Sequence, residues 1–174
     1  MAILPIIRAP DPRLKVVSEP VAEVDDEMRK LMAGMLQTMY DEPGVGLSAI
    51  QVGVPKRIVV VDVSRKDEPR QPIRMVNPEI TAESEEIAVF DEGCLSLPEH
   101  FAEVERPAEC DVRFLDENGE EQTLHANGLL ARCIQHELDH LDGILFVDHL
   151  SALKRGIILR KLSKQKKARL RDSA

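Results

Sequence analysis

His136-Glu137-Leu138-Asp139-His140 sits within an apolar-periodic run, residues 129–141, whose spacing predicts a helix. On a helix, residues i and i+4 share one face a single turn apart, so two imidazoles can reach one ion. Glu137 lies about 100° round from His136 and about 60° from His140. Its carboxylate can therefore approach water beside the ion without itself being a ligand. Asn127 stands where an N-cap is expected and Gly143 falls just past the C-terminal end. A helix with two ligands must lie where another segment can supply the rest.

A catalytic metal site commonly has three protein ligands and one open position. The place of a third histidine further along the HExxH run holds Phe146, and His149 lies three residues later, beyond Gly143. No glutamate follows to serve instead, because Asp172 is the only acid after residue 150. Cys133 shares the helix face, but seven residues, roughly 10 Å along the axis, separate it from His140. Cys110, at a strand start with no motif around it, reads as a buried core thiol. Cys94 remains, in Phe90-Asp91-Glu92-Gly93-Cys94-Leu95-Ser96-Leu97-Pro98. Gly93 permits close backbone approach there, and the segment reads as a strand end entering a proline-bounded turn. A lone cysteine is ordinarily a core thiol; the failure of the other candidates favours Cys94 as the third ligand.

The chain has 174 residues, 43% hydrophobic and 31% charged, an ordinary globular composition that favours one domain. Aromatics make up only 3%, so the core must be aliphatic. No apolar run approaches the roughly 20 residues of a membrane helix, and the Pro-broken start does not read as a signal peptide. Three unevenly spaced cysteines fit a reducing compartment. The expectation is a cytoplasmic protein with neither membrane nor DNA as partner. Net charge is −8, unevenly spread: residues 150–174 carry +8 and the other 149 carry −16. A basic tail on an acidic body can be an anion-seeking segment, for RNA or a ribosome, or a solvated helix face.

Residues 1–24 are broken by four prolines and read as extended. Residues 25–40 place Met28, Leu31, Met32, Met35, Leu36 and Met39 at helical spacing, with the methionines as core filler. Residues 57–62, Arg-Ile-Val-Val-Val-Asp, read as a buried strand. Residues 73–77 and 86–90 are further strand candidates, and 112–115 and 122–125 flank a hairpin turn at Asp116-Glu117-Asn118-Gly119. A last helix, about 151–171, carries the basic tail, docked through Ile157, Ile158 and Leu162. Short strands and separate helices without regular alternation argue an α+β fold.

Gly44-Val45-Gly46-Leu47-Ser48-Ala49-Ile50-Gln51, then Glu92-Gly93-Cys94-Leu95-Ser96, then Gln135-His136-Glu137-Leu138-Asp139-His140, occur in this order. Together with Val76-Asn77-Pro78 and the C-terminal helix, they make essentially the whole chain resemble the bacterial-type peptide deformylases. The lack of a long insertion after the first motif and the basic last helix resemble the form found in Gram-negative bacteria. The resemblance implies small antiparallel β-sheets around a central HExxH helix. It implies removal of the formyl group from formyl-methionyl nascent peptides. It also implies one divalent metal bound by Cys94, His136 and His140, Fe(II) in the cell with Zn, Ni or Co as substitutes. Glu137 would handle protons, Gln51 and the Leu95 N–H would hold the formyl oxygen, and Gly46 would pair with substrate backbone. Val45, Glu92, Leu129 and Cys133 would stand on the substrate side, and Arg106 would pair with Glu92. Ser48 stands where the family usually has Ala, and His100-Phe101 where many members carry an Arg. Arg132 either borders the methionine pocket or points to solvent. The competing readings are a zinc endopeptidase, and an RNA-binding module with a structural metal.

Overall fold

The computed structural model describes residues 3–173. Helix α1 spans Asp26–Asp41, with Asp25 as N-cap accepting from the Met28 N–H at 2.9 Å. Seven strands follow: β1 Gly46–Ser48, β2 Ile58–Val61, β3 Ile73–Glu83, β4 Ile87–Cys94, β5 Leu97–Pro107, β6 Glu109–Leu115 and β7 Glu121–Asn127. Helix α2 spans Gly128–Leu141 and helix α3 spans Ala152–Asp172. All strand pairs are antiparallel, in a five-stranded sheet ordered β1-β2-β3-β6-β7 and a separate β4-β5 hairpin. The α+β expectation holds. Among the described residues no helix is long and apolar enough to cross a membrane.

The larger sheet lies between α1 and α2, which explains why β2 is four successive apolar residues. Val59 and Val61 join Met75, Val112, Ile134, Leu138 and Leu141 on the α2 side. Ile58 and Val60 join Met28, Met32, Met35 and Met39 on the α1 side. A strand covered on both faces has no polar face to alternate with. The methionines are core filler as expected, and Cys110 is a buried thiol of the α2-side cluster. The β6–β7 turn is fixed by Asp116, which accepts from the Asn118 and Glu120 N–H groups at 2.9 and 3.0 Å.

Several boundaries differ from the sequence reading. Strands β1 and β5 were not anticipated, and β3, β4, β6 and β7 run longer than expected. Asn127 occupies the N-cap position of α2, but its side chain makes no capping hydrogen bond. Gly143 ends α2 as expected, in left-handed backbone at φ 74°. A Cβ there would run into the Lys15 carbonyl oxygen, so the close pass of the N-terminal segment also requires glycine. Helix α3 docks by Leu162, with Ile158 and Leu159 half-buried beside it, whereas Ile157 is exposed. A helix rotates 100° per residue, so Ile157 and Ile158 cannot both face the body squarely. Asp148 secures the base of α3, pairing with Lys15 and accepting from Arg155 Nε at 2.8 Å.

Candidate active site and metal centre

Helix α2 turns His136 and His140 toward the β4–β5 hairpin, whose turn presents Cys94. The Cys94 sulfur and one nitrogen from each histidine lie within 4.8 Å of one another, and Cys94 Sγ is 3.3 Å from His140 Nε2. The three residues singled out by elimination are thus brought together. His149 is not among them; its Nε2 lies 2.8 Å from Asp139 Oδ2. Cys133 is also apart, with its thiol donating to the Val45 carbonyl at 3.5 Å. Burial pushes the Cys133 thiol well above its usual pKa, which keeps it neutral and a poor ligand.

The donor set fits a divalent cation. His136 Nδ1 lies 2.9 Å from Glu92 Oε1, which leaves Nε2 facing the cluster. A carboxylate behind a ligating imidazole fixes its tautomer and raises its basicity. Burial alone would depress the His136 pKa, yet hydrogen bonding to Cys94 and Glu92 and the charge of Glu137 hold it well above the usual value. Burial drives His140 the other way, toward the neutral form that binds metals. A sulfur with two imidazoles suits Fe(II), Zn or Ni.

Glu92 is itself held firmly. Arg106 donates to both its oxygens, at 2.5 and 2.9 Å, and to Asp139 Oδ2 at 2.9 Å. Burial would raise the Glu92 pKa, but hydrogen bonds from His136 and Arg106 outweigh it and hold the carboxyl at about 2. Glu92, expected on the substrate side, does border the cavity, with its carboxylate engaged by Arg106 and His136. Asp139 and His149 extend this hydrogen-bonded network to the surface; the sequence reading weighed His149 only as a metal ligand and gave Asp139 no role.

Glu137 is buried, and its Oε2 has no hydrogen-bond partner among the described residues. Burial raises its pKa to about 7, partly opposed by the charge of His136. Gly46 lies against it. A Cβ at that position would meet Cys133 Sγ at 2.7 Å and Glu137 Oε1 at 2.8 Å, so only glycine lets β1 pass so near. Gln51, buried in a short 3-10 turn after β1, has its amide oriented by neighbours. Its Oε1 accepts from the Ser48 N–H at 2.9 Å and the Ser48 hydroxyl at 3.0 Å. Its Nε2 donates to Ser96 Oγ at 3.1 Å and toward Cys94 Sγ at 3.5 Å. Ser48 thus orients Gln51 through a hydroxyl that alanine lacks.

A cavity of about 500 Å³ opens beside these groups, bordered by Val45, Gly46, Leu95, Leu129, Cys133 and Glu137 among others. Arg132 borders it too, with its guanidinium 4.0 Å from the centre of the Phe90 ring. Of the two positions left open for Arg132, the cavity edge is the one observed. Stacking on an aromatic face accounts for it.

Fold and donor set together define a hydrolase of the HExxH type, with a cysteine and two histidines poised for a metal. Residues 3–156 match the family model described as polypeptide deformylase. The chain is 52% identical over 169 residues to the peptide deformylase of Rhizobium meliloti, with 97% of each chain covered. It is 55% identical to that of Rhizorhabdus wittichii, covering 97% of this chain and 98% of that protein. The crystal structure of peptide deformylase from Ehrlichia chaffeensis superposes with a TM-score of 0.92 at 41% identity, covering 97% of this chain and 99% of that one. The chain belongs to the peptide deformylase family, bacterial in type, and is a metal-dependent hydrolase that removes the N-terminal formyl group from nascent peptides.

Proposed function

We propose that deformylation of formyl-methionyl peptides takes place beside Cys94, His136 and His140, with Glu137 moving the proton and Gln51 and Leu95 holding the formyl oxygen. The observation that carries this reading is the convergence of three donors from α2 and the β4–β5 turn, with Cys94 and His136 lining the cavity next to a buried carboxylate, Glu137. An ion held by the three residues supplies the Lewis acidity that makes water a nucleophile near neutral pH. Glu137 then takes a proton from water and delivers it to the leaving amine; a carboxyl titrating near the working pH serves both steps. Gln51 Nε2 and the Leu95 N–H act as neutral donors to the developing oxyanion, adding no competing charge. Gly46 offers backbone to the substrate, and Val45, Leu129 and Cys133 form the apolar wall for an unbranched methionine side chain. Fe(II) is the proposed ion, with Zn, Ni or Co as substitutes. The catalytic domain spans residues 1–174, includes the basic last helix and works in the cytoplasm.

The discriminating experiment offers formyl-Met, acetyl-Met and internally cleavable peptides to one anaerobically prepared, metal-loaded protein. A formyl group carries only hydrogen beyond its carbonyl carbon. An added methyl overpacks a tight site, at about 1–3 kcal/mol. Fast formate release, slow acetyl removal and no internal cleavage are expected; internal cleavage without formate would favour an endopeptidase. For the ligand set, Cys94→Ala should lose most bound metal while Cys110→Ala and Cys133→Ala retain it. Full retention in Cys94→Ala would remove that residue from the ligand set.

The basic tail is proposed to attract the ribosome. Helix α3 carries nine Lys or Arg and one acid, and its docking residues end near Leu162. Truncation after Ser163 should leave deformylation of small peptides nearly intact and weaken salt-sensitive ribosome association. Ribosome binding unchanged by the truncation would make the tail a solvated helix.

A further inference from the structure

The cavity continues outward past the groups assigned to the formyl-methionyl unit. Its outer part is bordered by Leu95, Pro98 and Phe101. Phe101 is 70% exposed, the most exposed of the chain's large aromatic side chains. An aromatic ring so placed, continuous with a catalytic cavity, is a surface for apolar contact.

The backbone is shaped to put it there. Between the pairs Gly93↔Phe101 and Cys94↔Leu97 the hairpin register shifts, and β5 carries Pro98, Glu99 and His100 without counterparts on β4. Glu99 within this bulge adopts left-handed backbone at φ 67°, which non-glycine residues rarely take. Bulges of this kind re-aim side chains beside active sites. Here the result is that the Phe101 ring crosses Gly93; a Cβ on Gly93 would lie 2.5 Å from Phe101 Cε1. The ring rests on bare backbone one residue from the Cys94 sulfur, with its outer side open.

We infer that Phe101 is a specificity-determining residue, receiving the side chain of the substrate's second residue and favouring aromatic over small ones. The inference rests on the deformylase site proposed above. Gly93 is one chain step from Cys94, and the methionine side chain is assigned to Val45, Leu129 and Cys133, so the second residue of a peptide whose formyl group sits at the donor cluster falls along the Phe101 part of the cavity. Stacking on Phe101 rewards a flat side chain.

The test measures formate release by the metal-loaded, full-length enzyme from formyl-Met-X-Ser peptides with X as Phe or Gly. Phe should exceed Gly by about three- to tenfold in kcat/KM, chiefly through KM. Phe101→Ala should bring the Phe-to-Gly ratio within about twofold, and Phe101→Tyr should preserve it, since the stacking contact needs the ring. Val89→Ser, on the same face of the hairpin but outside the cavity, should leave the ratio as it was. A ratio that survives Phe101→Ala, a preference confined to the third residue, or no preference in the parent enzyme overturns the assignment while leaving deformylation standing. Release of no formate from any of the peptides overturns the site reading as well.

Discussion

Glu137→Gln should lower turnover of formyl-Met peptides by about 10²–10⁴-fold while leaving metal content unchanged. The two side chains have the same shape, so the close packing against Gly46 and Cys133 is kept. An amide cannot accept the proton that water must lose, nor return it to the leaving amine. The carboxylate is placed for both, buried beside His136 and raised to about 7. Metal should stay because Glu137 is not one of the three converging donors. Turnover by steady-state formate release, read against metal analysis of the same sample, separates the two effects. Near-normal turnover in a fully loaded Glu137→Gln protein would take the proton-handling role away from this residue.

Arg106→Ala should be the most destabilising single change near the site, at about 3–5 kcal/mol. For a chain of this size that corresponds to a melting temperature lower by about 6–20 °C. Arg106 is buried and shared between Glu92 and Asp139. Removing it strands a buried carboxylate, which costs more than removing the pair together. Glu92→Gln with Arg106→Met should therefore lose less than Arg106→Ala alone. The pH dependence follows from Glu92. Its folded value of about 2 lies below the ordinary 4.5, so its stabilisation is complete above 4.5 and is lost as pH falls toward about 2. Without Arg106 the folded value rises, and this acid-labile part of the stability shrinks. Chemical denaturation at neutral and acid pH measures both effects. A loss below about 1 kcal/mol, the range of a surface pair, would show that the network carries little.

Helices α1 and α2 were legible because each has one apolar stripe at helical spacing, and β2 because both its faces are covered. Strand β1 is only Gly-Leu-Ser, too short for any pattern. Strand β5 was hidden for a physical reason. Pro98 and Pro107 bracket it, and the inward series Ala102, Val104, Arg106 includes a charge, while Phe101 faces out. Proline is tolerated because β5 pairs only with β4 and leaves its other edge free. The three ligands were legible from motif spacing and elimination. The Ser48 hydroxyl on Gln51 and the Asp139–His149 extension were not, since a hydrogen bond across elements leaves no periodic trace. A serine three residues before a buried glutamine, and an aspartate inside the HExxH run, were the signals available.

Cys94 and His140 stand 46 positions apart in the chain, one on a two-stranded hairpin and the other on the central helix. An ion gripped by both is a rivet through two elements whose apolar side chains join different clusters. Closing so long a loop is entropically costly for a free chain, and a ligand that binds only the folded form shifts the whole folding equilibrium with its own concentration. A cell's supply of the ion thus governs more than how many molecules turn over. It also sets how many survive proteolytic surveillance, so metal starvation would deplete the protein itself.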